Sequence, residues 1–221
     1  MQRRNLIEQI VVRIPDAQGS DCTLVGIDGR DGSGKTTFAD EFANVCQSVL
    51  SRPVIRISLD DFHNVRSLRY RRGKASPEGF YLDSYDYNRF HAFVGKSLSA
   101  GGSRQFKYRC HDLDTDEVLD LEPFEEAPPG AIVVVDGLFL HRPELVSVWN
   151  YSVYLDVTAE ECAQRMMVRD GAAPQLIPTD RYFGGIALYL DACHPKEKAS
   201  VVVDNNQVGL PYIVDFVGDQ V

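Results

Sequence analysis

No C-x-x-C occurs in this chain, and its five cysteines (Cys22, Cys46, Cys110, Cys162 and Cys193) are odd in number and widely spaced. Both facts argue against a disulfide framework and against a structural zinc site, and a reducing cytoplasm is the expected home. Long apolar runs are missing as well. None exceeds five residues, Ala131 to Val135 among them, where crossing a bilayer takes roughly 18 to 20. The apolar stretch after Arg3 and Arg4 is broken by Glu8 and no small-residue cleavage pattern follows, so no signal peptide is read. Positive charge is scarce: 23 lysines and arginines stand against 32 aspartates and glutamates, a net charge of −9. So acidic a protein is not expected to bind nucleic acid or a membrane through its overall field.

What is present reads as one domain: 221 residues, 44% apolar and 25% charged, with no internal repeat and no linker long enough to divide them. Leu6, Ile7, Ile10, Val11 and Ile14 recur at helical spacing before Pro15, which predicts an amphipathic helix over residues 3 to 14. Strands are expected at Thr23 to Ile27, Val54 to Leu59, Ala131 to Val135, Tyr151 to Val157 and Ser200 to Val203. Helical patterns follow Gly34 and cover Tyr87 to Leu98, 159 to 170 and 179 to 192. Asn64 to Tyr87 looks irregular, and Gln105 to Leu121 suggests a hairpin-like insertion standing off the main sheet. Alternation of strand and helix means a mainly parallel sheet covered by helices.

G-R-D-G-S-G-K-T, Gly29 to Thr36, matches G-x-x-x-x-G-K-[ST] directly after a buried strand and at the opening of a helix. The glycines let consecutive N–H groups face phosphate oxygens, and the helix N-terminus adds partial positive charge. Lys35 reaches the outer phosphates, and the Thr36 hydroxyl ligates Mg²⁺. The fold class is therefore α/β, a P-loop three-layer sandwich with a small β-hairpin insertion at about 104–126. An acid is needed near the magnesium at the end of a neighbouring strand; Asp136, Asp60 and Asp61 are the candidates.

Taken in order, G-I-D-G-R-D-G-S-G-K-T-T, S-L-D-D-F, V-V-V-D-G-L-F-L, R-M-M-V-R-D and A-S-V-V-V-D-N resemble the uridine kinase-like branch of the P-loop kinases, from about Leu24 to Asn205. That branch also includes phosphoribulokinase, pantothenate kinase and nicotinamide riboside kinase. The resemblance implies ATP and Mg²⁺, with nucleotide contacts from Gly29, Asp31, Gly32, Ser33, Gly34, Lys35, Thr36 and Thr37. Metal ligation falls to Thr36 and Asp136. It implies Asp60 as the base that takes the acceptor's hydroxyl proton, with Asp61 as runner-up. Arg165 and Arg169 are the implied arginines of a lid at about 162–185, and Lys35 and Arg169 act with Asp60 in catalysis. Substrate contacts are implied for Asp61, His63, Asp83 (on ribose hydroxyls) and Tyr108. His63 stands where uridine kinases place an aromatic residue.

The expected activity is transfer of the γ-phosphate of ATP to a small-molecule hydroxyl, with a nucleoside as the leading acceptor. A phosphosugar or vitamin-precursor kinase is the rival within enzymes, and a regulatory ATP-binding module the rival outside them; a homodimer is allowed. Two charge clusters stand apart from the average. Arg66, Arg69, Arg71, Arg72 and Lys74 fall in nine residues without an acid, and residues 112 to 126 hold eight acids without a base. The basic run is read three ways: a solvated face, a grip on an anionic acceptor, or a partner of the acidic segment. His91, His111, His141 and His194 show no metal-ligand spacing and receive no role. Trp149, Tyr81 and Tyr85 are expected to be packed inside rather than to line a base pocket.

Overall fold

The computed structural model describes residues 2–171 and 179–216. Helix α1 (Gln2–Val11) buries Leu6, Ile7, Ile10 and Val11, one stripe of the 3.6-residue period, against α2. Strand β1 (Thr23–Gly29) is buried throughout and turns into α2 (Lys35–Leu50), whose inner face carries Phe38, Phe42, Val45 and Cys46. Strand β2 (Val54–Ser58) runs into a single 3₁₀ turn, Leu59–Phe62.

The next stretch, expected to be irregular, holds two helices, α3 (Arg66–Arg69) and α4 (Pro77–Asp83). The start of α4 was written in the sequence: the Ser76 hydroxyl accepts from Gly79 N, and Pro77 sits in the first turn, where it loses no hydrogen bond. The helical stretch at 87–98 is α5 (Tyr87–Phe90), a wider π turn (His91–Gly95) and α6 (Lys96–Leu98). Strands β3 (Gln105–Phe106) and β4 (Glu125–Glu126) form a separate antiparallel pair, so the insertion is a long loop on a minimal hairpin.

There follow β5 (Ile132–Asp136), β6 (Tyr151–Asp156), α7 (Ala159–Asp170), α8 (Thr179–Cys193), α9 (Pro195–Lys198), β7 (Val201–Asp204) and β8 (Tyr212–Phe216). Part of the expected lid segment, 172–178, lies outside the described residues.

The main sheet has the order β2-β5-β1-β6-β7-β8, parallel except for β8, which pairs antiparallel with β7 at the edge. Strand β8 escaped the sequence reading because an edge strand with mostly exposed side chains carries no strong alternation. Alternate residues of the central strands enter opposite cores. Val25, Ile27, Ile132 and Val134 join the cluster under α1 and α2. Leu24, Val133 and Val135 join the cluster with Phe62, Phe90, Phe139 and Tyr189. Two apolar faces explain why A-I-V-V-V is uninterrupted.

Register then positions the site. Ile27 of β1 and Ser58 of β2 both pair with Asp136 of β5. The glycine turn after β1, the Leu59–Phe62 turn after β2 and Asp136 therefore emerge on one carboxyl edge, where open α/β sheets bind ligands. Among the described residues no helix is long and apolar enough to cross a membrane, and all five cysteines are buried and unpaired.

Candidate active site

The turn from Gly29 to Lys35 is a phosphate-binding loop in conformation as well as in sequence. Gly32 and Gly34 have φ of +78° and +86°, a region open to glycine but strained for other residues. A side chain at Gly32 would also place its Cβ 2.6 Å from the Cys162 carbonyl oxygen of α7. The Ser33 hydroxyl is buried inside the loop without a hydrogen-bond partner among the described residues. Lys35 Nζ donates across the loop to the Arg30 carbonyl at 2.8 Å.

The Thr36 hydroxyl donates to Asp136 Oδ2 at 2.7 Å. The other Asp136 oxygen accepts from Arg56 Nη2 at 3.0 Å, and Arg56 also binds Asp40. A hydroxyl and a nearly fully buried carboxylate held at this spacing are a hard-oxygen pair suited to Mg²⁺, which takes one or two protein oxygens and completes its shell with water and phosphate.

One cavity of about 680 Å³ joins these groups. Its wall takes Asp31, Gly32, Gly34, Lys35, Thr36, Thr37, Arg165, Arg169 and Asn205 from the phosphate loop and the segments around it, and Asp60, His63, Arg69, Phe80, Tyr85, Leu113 and Tyr182 from the rest of the chain, with Asp136 also on the wall. Asp60 is exposed to it. Its Oδ1 accepts from the Tyr85 hydroxyl at 2.8 Å, and its carbonyl meets His63 Nδ1 at 2.6 Å. The His63 ring packs on Tyr85, 4.4 Å between centroids. Burial lowers the His63 pKa despite the pull of Asp60, so the ring is neutral at pH 7.

The nucleotide-side residues expected from sequence thus converge, and so do Asp60, His63 and Asp136. Three substrate candidates do not line the cavity among the described residues. Asp83 is buried under the basic run, its carboxylate taken by Arg71 at 2.5 Å and Arg72 at 2.9 Å; the Arg71 hydrogen bond holds its pKa below the usual range. Tyr108 lies on the insertion with its ring on Phe106. Asp61 is absent from the cavity wall, and its carbonyl receives the Cys110 and His111 amides.

Arg165 lines the cavity and has further partners of its own. Its guanidinium binds Glu161 and the carbonyls of Ser33, Asn205 and Asn206, fastening α7 to the phosphate loop. Arg169 faces Asp31 at 3.5 Å. Sequence reading missed Arg3 and Asn205 as wall residues. Arg3 Nη1 binds Asn205 Oδ1 at 2.8 Å, and Asn205 Nδ2 binds the Ser33 carbonyl at 2.8 Å, a chain of contacts between segments no local pattern connects. Of the aromatic residues expected in the interior, Trp149 packs on Gly26 and Phe90, whereas Tyr85 reaches the cavity wall.

Burial pushes the Asp61 carboxyl up to about 6, with the Asp60 charge adding to it and Arg109 opposing. The folded chain therefore holds this proton more tightly than the unfolded chain. The stabilisation is complete below about pH 4 and is lost as pH rises through 6. Asp61→Asn removes the cost of the buried charge. Allowing for partial exposure, its melts above pH 7 should exceed the parent's by about 1 kcal/mol, converging near pH 4. Superimposable melting temperatures at pH 4.5 and 7.5 would contradict this.

A parallel sheet of this order, with a glycine phosphate loop after its central strand and carboxylates on the adjoining strand ends, defines a P-loop nucleotide-binding kinase fold. The profile of the Phosphoribulokinase / Uridine kinase family matches residues 24–173, more than half of the chain, and the chain belongs to that family. Among solved structures it is similar to one described as "a Possible Uridine Kinase from Bacillus stearothermophilus", with 22% identity and a TM-score of 0.67 over 90% of this chain and 96% of that one. It is similar too to a "putative fructose transport system kinase" from Silicibacter, with 20% identity and a TM-score of 0.67 over 87% of this chain and 95% of that one. At such identities the likeness is one of fold.

Proposed function

We propose that this chain transfers the γ-phosphoryl group of ATP to a hydroxyl of a small molecule, with Asp60 as the base. The observation that carries the reading is the shared cavity: Lys35, the Thr36–Asp136 pair and the Asp60 carboxylate all line it. Phosphoryl transfer asks for positioning, for positive charge around the equatorial oxygens, and for one carboxylate at the attacking hydroxyl. Lys35, Arg169 and the loop N–H groups are suited to the charge. Mg²⁺ held by Thr36 and Asp136 would neutralise the β- and γ-phosphate oxygens. The acceptor oxygen bonds to the γ-phosphorus, the bond from that phosphorus to the bridging oxygen breaks, ADP departs, and the hydroxyl proton passes to Asp60. The Tyr85 hydrogen bond fixes the orientation of that carboxylate.

The nucleoside reading draws less support than the reaction itself, because the groups expected on ribose and base, Asp83 and Tyr108, are engaged elsewhere. A small hydroxylated acceptor against His63, Tyr85, Phe80 and Tyr182 suits the walls better. The test is ADP release from Mg·ATP over a panel of neutral and anionic hydroxyl compounds. The expected result is release that depends on an acceptor and is lost in Lys35→Ala. Slow release that no acceptor stimulates would replace the kinase reading with that of an ATP-binding module.

A further inference from the structure

The basic run resolves into arginines with three different occupations. Arg71 and Arg72 are spent on Asp83. Arg66 is spent on the acidic loop: its amide meets the Asp116 carboxylate at 2.9 Å and 3.0 Å, and its guanidinium donates to the Leu113 and Asp114 carbonyls. Arg69 alone of the run turns inward. It is only 8% exposed, it lines the same cavity as Asp60 and His63, and its Nε has no hydrogen-bond partner among the described residues. Its one acidic contact among the described residues is a long one, Nη2 to Asp116 Oδ1 at 3.3 Å, and Asp116 already accepts from the Arg66 amide and from His111.

A second buried cation stands behind it. Arg181 of α8 is 3% exposed, and its guanidinium donates to the carbonyls of Arg69 and Ser76 and covers the Tyr70 and Phe80 rings. Its hydrogen bonds go to carbonyls, none to a carboxylate, among the described residues. Burying a guanidinium without full pairing is costly, and the Arg69 charge adds to that cost at Arg181. A wall built this way gains when an anion enters the space it faces.

We infer that the acceptor carries an anionic group, a carboxylate or a phosphate, which Arg69 binds in the cavity it shares with Asp60, leaving the acceptor's hydroxyl at Asp60. The inference rests on the kinase reading and narrows it to acidic substrates. His63, neutral and bonded through its Nδ1 hydrogen to the Asp60 carbonyl, adds no charge beside that group. The acidic loop then has a role its own charge hides: Asp116 fixes Arg66 and steadies Arg69, and Leu113 closes the wall.

The experiment compares D-glycerate and pantothenate (carboxylates) and ribose 5-phosphate (a phosphate) with uridine and fructose (neutral) as acceptors, in the parent, Arg69→Met and Arg69→Lys. The expected result is a preference for one anionic class. For that class Arg69→Met should lower kcat/KM about 100-fold, chiefly through KM, with partial recovery in Arg69→Lys and weakening as salt rises. The carboxylate and phosphate arms decide which anion is taken. Equal use of neutral and anionic acceptors, or an equal loss on both in Arg69→Met, would overturn the inference while leaving the kinase intact. If no acceptor stimulates ADP release, the kinase reading fails by itself. The anion site is then read from thermal shifts with orthophosphate and D-glycerate in the presence of a non-hydrolysable ATP analogue: a shift lost in Arg69→Met keeps it, and no shift, or one that persists in Arg69→Met, ends it.

Discussion

Asp60→Asn should lower kcat by about 10² to 10⁴-fold, the range over which a positioned base contributes, while ATP still binds. The substitution keeps an oxygen for the Tyr85 hydroxyl and changes neither size nor the 3₁₀ turn, so the loss reports the missing proton acceptor. Asp61→Asn is the matched control. It removes a carboxylate from the adjacent position, yet that side chain does not line the cavity among the described residues, and kcat should stay within a few-fold of the parent. Initial rates on any competent acceptor, with ATP affinity measured separately, decide the matter. Near-normal turnover in Asp60→Asn, or a collapse in Asp61→Asn instead, would move the base to the neighbour.

Asp28→Ala should cost the fold about 3 to 5 kcal/mol, the usual penalty for removing one member of a buried charged network. Asp28 is 0% exposed and ends β1 next to the phosphate loop. One oxygen accepts from the Gly29 amide at 2.7 Å; the other accepts from His141 Nδ1 at 2.6 Å and from the Tyr189 hydroxyl. That hydroxyl in turn accepts from the His141 amide at 3.0 Å, and His141 Nε2 meets Ser152 Oγ at 3.0 Å. Each member is satisfied, so truncating the carboxylate strands an imidazole and a phenol in an apolar core.

In a domain of this size 1 kcal/mol moves the melting temperature by about 2 to 4 °C, so a fall of about 10 °C is expected. Tyr189→Phe, which deletes one hydroxyl, should lose about a third as much. A loss under about 1 kcal/mol in Asp28→Ala would mean that the neighbours find other partners. Because the network ties α8 to the root of the phosphate loop, the alanine variant should also bind ATP more weakly.

How much of this was legible beforehand follows from the range of each interaction. The phosphate loop was readable because its function is local: eight consecutive residues carry the backbone conformation, the lysine and the hydroxyl. The central strands were readable because burial on both faces leaves an uninterrupted apolar run. Helices α3 and α4 were not read, although Ser76-Pro77 marks the start of α4, because the arginines and tyrosines around them obscure any apolar period. His141 received no role because nothing in H-R-P-E announces a partner; its carboxylate lies 113 residues before it and Tyr189 48 residues after it.

The sequence by itself determined the fold class and the nucleotide loop, since short-range spacing and strand ends suffice for those, and the family resemblance singled out Thr36 and Asp136, which the fold brings into a hydrogen bond. The sequence also isolated a basic run and an acidic segment in a chain with a net charge of −9. Only the tertiary structure decided that Asp83 belongs to Arg71 and Arg72, that Arg165 clamps carbonyls, and that Arg69 turns into the cavity. The physical reason is that a charged side chain's role depends on which opposite charge reaches it first. That is fixed by chain segments brought together through sheet register and helix packing, not by neighbours in sequence.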